Sequence, residues 1–157
     1  MADVHPPAVR SKNMRAIRNQ NTAIEKMLSQ LLNEAGIAYR TQATDLPGKP
    51  DFVLDEYKAV IFVHGCFWHH HDCYLFKVPA TRTEFWLKKI GSNVKHDDNV
   101  AKLLLEKGWR ILIIWECALK GRLKLSKSSL YGRIEEWLYV GNRYAEINTM
   151  GIKVKYV

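Results

Sequence analysis

Pro50-Asp51-Phe52-Val53-Leu54-Asp55-Glu56-Tyr57-Lys58-Ala59-Val60-Ile61-Phe62-Val63-His64 is the stretch whose reading decides the fold. Asp51 to Leu54 follows the turn Leu46-Pro47-Gly48-Lys49-Pro50 and reads as a strand, and Asp55 to Lys58 reads as a hairpin turn. The turn delivers the chain into Ala59 to Val63, a nearly continuous apolar run of the kind found in strands buried on both faces. Arg110 to Trp115 is a second such run, and residues 84 to 107 between them read mostly as helix ending at Gly108. Upstream, Thr22-Ala23-Ile24-Glu25 matches a capping box, after which Ile24, Met27, Leu28, Leu31 and Leu32 recur at helical spacing until Gly36. Ile37 to Tyr39 begins a strand-like run, Leu130 to Leu138 reads as a later helix, and the tail from Tyr144 is ambiguous. Strands interleaved with helices imply an α/β (α+β) domain with a mixed central sheet flanked by helices.

The chain has 157 residues, enough for one domain with a real core, so residues 21–157 are expected to form a single unit. Residues 1–20 are set apart as a basic arm, because Arg10, Lys12, Arg15 and Arg18 occur there with no acid nearby. Lys and Arg number 24 against 16 Asp and Glu, a net charge of +8, which favours a polyanionic partner. A signal-peptide core and a membrane-length apolar run are both missing from the sequence, so an intracellular location is expected. Three cysteines cannot all pair with one another, and in that compartment they are better read as thiols or metal ligands.

All three cysteines fall near the ends of the two apolar runs. Cys66-Phe67-Trp68-His69-His70-His71-Asp72-Cys73 follows the first and Cys117 follows the second. If the two strands are neighbours, Cys66, Cys73 and Cys117 meet at one end of the sheet, and one imidazole completes a closed tetrahedral shell typical of structural zinc. His71 is chosen as that imidazole, although His69 or His70 would serve by spacing alone. Buried thiols beside an incidental histidine run are the plainer alternative.

Phosphodiester hydrolysis calls for acidic oxygens to hold Mg²⁺ at the scissile phosphate and for a group that deprotonates water. Asp51 is the first candidate, since a hairpin would set it beside the Val63 carbonyl and His64. Pro50-Asp51 followed by a strand resembles the PD-(D/E)xK nuclease core, but the later pair reads Phe62-x-His64, without the usual carboxylate and lysine. The Val63 carbonyl could replace the carboxylate, and His64 or His69 could handle the proton. Glu25 offers a second, water-mediated metal contact, although its capping-box position already explains it. Asp97 could orient His69, or could be an ordinary helix-surface carboxylate. Phe67, Trp68 and Trp86 flank the ligand loop and could wedge between bases, with core packing as the alternative.

Arg10-Ser11-Lys12-Asn13-Met14, Leu46 to Phe52, His64-Gly65-Cys66-Phe67-Trp68-His69-His70-His71, Phe76-Lys77-Val78-Pro79 and Trp115-Glu116-Cys117 together resemble the bacterial very-short-patch-repair endonucleases. The resemblance runs from about Arg10 to about Arg122. It implies a nick 5′ to the thymine of a T:G mismatch that arises by deamination of 5-methylcytosine in double-stranded DNA. It also implies Mg²⁺ on Asp51 and the Val63 carbonyl, with Glu25 in the outer shell. His69 with Asp97 would be the base and His64 would stand at the phosphate. Zinc would sit on Cys66, His71, Cys73 and Cys117. Phe67, Trp68 and Trp86 would enter the DNA stack, while Met14, Arg15 and the arm hold the opposite groove. The implied protein is a monomer on DNA in the bacterial cytoplasm, associated with the nucleoid, with further repair proteins as partners. Two rival readings are a non-catalytic zinc-bearing DNA-binding module, from which Asp51, His64 and His69 separate it, and a restriction-type nuclease that makes double-strand breaks.

Overall fold

A computed structural model describes residues 23–156; Met14, Arg15, the rest of the basic arm and the cap residue Thr22 lie outside the described residues. Helix α1 covers residues 23–34 and ends at Gly36, which takes a φ of +71°. Ile24, Leu28, Leu31 and Leu32 are buried, whereas Met27, expected on the same face, is 38% exposed. The strand expected from Ile37 to Tyr39 does not form. Arg40 makes a single antiparallel bridge to Val53, and the chain then turns away through Gln42 at φ +55°. The Arg40 guanidinium is instead forked between Asp45 and Asp55, each at 2.9 Å, which pins the segment as a loop.

The expected hairpin is present. Strand β1 (Phe52–Leu54) pairs antiparallel with β2 (Ala59–His64), joined by a short 3₁₀ turn at Asp55–Tyr57 and by Lys58 in the left-handed region. Helix α2 (Thr83–Glu106) carries the chain over to β3 (Arg110–Trp115), which pairs parallel with β2. A short α3 (Glu116–Leu119) and then α4 (Lys127–Val140) lead to β4 (Tyr144–Asn148), parallel to β3, and β5 (Gly151–Val154) closes the edge antiparallel to β4. The sheet order is β1-β2-β3-β4-β5. The ambiguous tail is therefore two strands.

Helices α1, α3 and α4 cover one sheet face with a core of Leu28, Leu32, Leu112, Ile114, Ile134 and Trp137. Helix α2 covers the other face, where Val60, Phe62, Ile111, Ile113 and Trp115 meet Val100, Ala101 and Leu104. Because β2 and β3 lie inside the sheet with both faces covered, they need apolar side chains at nearly every position. At the C-terminal ends of β2 and β3 the α2 face changes character. His64 and Trp115 are register partners there, and the loops that follow carry the reactive side chains.

Candidate active site and sulfur cluster

Asp51 stands one residue before β1, where the ladder has run out. Its Oδ2 accepts the Val63 N–H at 2.7 Å, so the carboxylate extends the pairing that β1 no longer supplies. An extended residue presents its N–H and carbonyl on the same strand edge, which brings the Val63 carbonyl out beside Asp51. Burial raises the Asp51 pKa to about 7; the Val63 amide opposes the rise and the neighbouring Glu25 carboxylate adds to it. Glu25, on α1, shares a cavity with Asp51, Lys26 and Lys49.

His64 closes β2 and is 7% exposed. The loop after it turns tightly, with the His69 N–H donating to the Gly65 carbonyl at 3.2 Å, and lays the His69 ring on His64 at 3.8 Å between centroids and 4° between planes. Two imidazoles this close are unfavourable as a pair of cations. The His64 pKa is lowered well below its usual value by burial first, and further by His69 and Lys155. Asp97, on the inner side of α2, meets His69 Nδ1 with Oδ2 at 2.5 Å. That contact holds the ring and leaves Nε2 as its available nitrogen. Asp51, Val63, His64, His69 and Asp97 thus line one cavity of about 240 Å³, together with Lys49 and His96.

The sulfur cluster lies beyond the same sheet end. Parallel register between His64 and Trp115 carries Cys66 and Cys117, each two residues further on, to one level. His70 takes φ +51° and reverses the chain, so that the His71 N–H returns to the Cys66 carbonyl at 2.9 Å and the Cys73 N–H reaches the His71 carbonyl at 2.9 Å. Ligand atoms of Cys66, His71, Cys73 and Cys117 all fall within 4.8 Å of one another, and His71 Nδ1 is 3.5 Å from the sulfurs of both Cys66 and Cys117. None of the three cysteines is disulfide-bonded. Cys117 accepts from the Cys66 thiol and from His71, which pushes its pKa down to about 5, while the same contact and burial push Cys66 up. Of the three adjacent histidines, His71 is the one among the sulfurs; His69 faces Asp97, and the exposed His70 stacks on Phe76 at 4.4 Å.

Phe67, Trp68 and Trp86 form one half-buried aromatic group. Trp86 lies 5.7 Å from Phe67 and 5.8 Å from Trp68, both edge to face. Asn93, one turn before Asp97 on α2, donates to the Trp68 carbonyl at 3.0 Å and ties this loop to the helix that holds His69. Sequence reasoning did not single out Asn93. It also passed over Trp115 as a site residue, although that ring stacks on His71 at 4.1 Å and stands edge-on to His64 at 5.4 Å. Trp115 is in turn held by Glu146 of β4, which accepts its Nε1–H at 3.1 Å. Glu116 was likewise missed: its Oε1 accepts the Cys66 N–H at 3.1 Å. The Trp115-Glu116-Cys117 triplet held two of these signals, yet only its cysteine was read as a ligand.

Comparison with known proteins identifies the family. The family model for DNA mismatch endonuclease Vsr matches residues 2–75. The chain is 62% identical over 152 residues to the DNA mismatch endonuclease Vsr of Escherichia coli (strain K12), covering 97% of each chain. It is 39% identical over 119 residues to the type II nicking enzyme V.XorIIP of Xanthomonas oryzae pv. oryzae, spanning 76% of this chain and 88% of that one. A third relative, the type II nicking enzyme V.NmeAIP of Neisseria meningitidis, is 37% identical over 122 residues, 78% of this chain and 87% of its own. A near full-length match at this identity settles the kinship: the chain belongs to the Vsr family of DNA mismatch endonucleases.

Proposed function

We propose that this protein nicks one DNA strand 5′ to the thymine of a T:G mismatch left by deamination of 5-methylcytosine, in a Mg²⁺-dependent hydrolysis on a zinc-stabilised, PD-(D/E)xK-like core. The observation that carries the reading is the convergence of Asp51, Val63, His64 and the His69–Asp97 pair on one cavity. Relatives named as nicking enzymes support single-strand cleavage.

The oxygens at Asp51 fit a divalent cation. Asp51 and Glu25 crowd two carboxyl groups together and burial raises the Asp51 pKa, so an ionised pair there is unfavourable unless a hard cation holds it. Asp51 and the Val63 carbonyl would hold Mg²⁺ directly, with Glu25 outside them. The ion would supply Lewis-acid stabilisation of charge on the phosphate. His69 takes the proton of the attacking water through Nε2, because Asp97 occupies Nδ1 and fixes the tautomer. His64, kept neutral by burial, packs against His69 and presents an uncharged donor to the phosphate.

Three sulfurs and one imidazole nitrogen at mutual contact fit zinc, a soft-donor tetrahedral shell. Cys66, His71, Cys73 and Cys117 would hold it, tying the loop that bears His69 and Trp68 to the end of β3. Phe67, Trp68 and Trp86 act as the wedge, a half-buried cluster of large apolar rings of the kind that inserts between base steps. Residues 1–20, with Met14 and Arg15, act as a separate arm on the opposite groove, and residues 21–157 act as one domain. The protein works on DNA as a monomer, in the bacterial cytoplasm at the nucleoid, beside other repair proteins. No described helix is long and apolar enough to cross a membrane.

The direct test offers strand-labelled duplexes, matched or carrying one T:G pair, with Mg²⁺ or EDTA. A single cut 5′ to the mismatched thymine, in Mg²⁺ only, is expected. Cleavage of both strands, or of matched DNA equally, would reject the proposal. His69→Ala should slow the nick by about 10²- to 10⁴-fold, and Asp97→Asn by less, with His70→Ala near the parent rate.

A further inference from the structure

We infer that Lys49 is a catalytic residue of this nuclease, its ammonium placed against the scissile phosphodiester to neutralise charge that builds during hydrolysis. The inference rests on the proposed function of the Asp51 cavity. Two cavities adjoin there, one of about 240 Å³ bearing the histidines and one of about 330 Å³ bearing Glu25; Lys49 and Asp51 are the two residues that line both. Among the described residues, Lys49 is the one lysine or arginine that lines the histidine cavity, which Asp51 and Asp97 also line.

The turn that carries Lys49 is clamped in place. Gly48 takes φ +74° with its Cα against Val100 of α2, so closely that a Cβ there would fall 2.5 Å from Val100 Cγ1. Lys49 itself is left-handed at φ +49° and donates its N–H to the Leu46 carbonyl at 3.3 Å. A non-glycine residue in this region is a strained backbone held by its surroundings, and such strain gathers at functional sites. The side chain therefore starts from a fixed point two residues before Asp51.

The chemistry calls for a cation at this place. The water oxygen forms a bond to phosphorus, one sugar oxygen leaves, the water proton passes to His69, and the leaving oxygen takes a proton from solvent. In the transition state charge accumulates on the phosphoryl oxygens, and a fixed cation there acts by electrostatic stabilisation. β2 provides no such cation: its last three residues are Phe62, Val63 and His64, and His64 is buried. Lys49 lines the cavity from the β1 side instead.

Single-turnover nicking of a T:G duplex at saturating protein tests this, with affinity for the uncut duplex measured separately in Ca²⁺. Lys49→Gln should lower the rate about 10- to 100-fold, while Kd changes only a few-fold. Lys49→Arg should keep most of the rate. Lys49→Gly removes the backbone strain, so it should melt no lower than the parent and yet be as slow as Lys49→Gln. Full rate in Lys49→Gln would overturn the inference, as would a loss in Lys49→Arg equal to that in Lys49→Gln. Asp51→Asn run alongside separates the two levels: if it too cuts normally, the reading of the cavity fails; if it is inactive while Lys49→Gln is not, only Lys49 is misassigned.

Discussion

Gly48→Ala probes how tightly the catalytic turn is built into the fold. A Cβ at position 48 would sit 2.5 Å from Val100 Cγ1 and 3.0 Å from Cγ2, on a backbone at φ +74°. The left-handed conformation costs an alanine about 1–2 kcal/mol, and forcing a methyl into a filled space adds about 1–3 kcal/mol. The expected loss is the sum, roughly 2–5 kcal/mol, read by urea denaturation with an unchanged slope and worth about 4–20 °C in Tm. Val100, 8% exposed, supplies the control. Val100→Ala alone removes two buried carbons, about 1.6 kcal/mol, but in the Gly48→Ala background it also clears the clash. The double mutant should therefore be more stable than additivity allows by about 1–3 kcal/mol, the overpacking share. Nicking should fall with the single change, since an error of about 1 Å in a catalytic group can cost on the order of 10²-fold, and should partly recover in the double. Wild-type stability in Gly48→Ala, or strict additivity in the cycle, would refute the clamp.

Asp51→Asn should be inactive yet melt above the parent in EDTA at pH 8. The folded pKa near 7 lies above the unfolded value of about 3.9, so the stability carried by the protonated acid is full below about pH 4 and lost as pH rises through 7. Mg²⁺ should then stabilise the parent and leave the variant unchanged; a variant that melts lower at pH 8 would contradict this. Elemental analysis should find one zinc per chain, and Cys73→Ser should lower both the zinc content and Tm, since ligation adds directly to folding free energy; zinc-free protein with unaltered melting would dismiss the site. Trp68→Ala should reduce the preference for T:G over matched duplex more than it reduces salt-dependent affinity. Equal discrimination by that variant would return these rings to a packing role.

The sequence by itself determined the elements whose burial is complete on both sides. β2 and β3 lie between covered faces, so nearly every position must be apolar and the run is visible without any partner. Helix α2 was legible from its stop at Gly108, and the ligand loop from its density of cysteine and histidine. The edges were decided elsewhere. β4 reads Tyr144-Ala145-Glu146-Ile147-Asn148, which local pattern leaves open; it is a strand because β3, reached only after the α4 crossover, offers it a parallel ladder. Ile37 to Tyr39 shows the converse, an apolar-looking segment that lacks a ladder beyond one bridge at Arg40. The site divides in the same way. Residue types suited to metal and proton chemistry could be named from spacing, and His71 and the His69–Asp97 pair were already chosen there; the alternatives His69 and His70 stayed open until the chain reversal at His70 put His71 among the sulfurs and α2 set Asp97 against His69. Trp115, Glu146, Asn93 and Lys49 acquired roles only through contacts between segments distant in the chain or through a shared cavity. Periodicity reports which faces of a segment avoid water; which side chains meet across a cleft is set by how those faces stack, and no single segment contains that information.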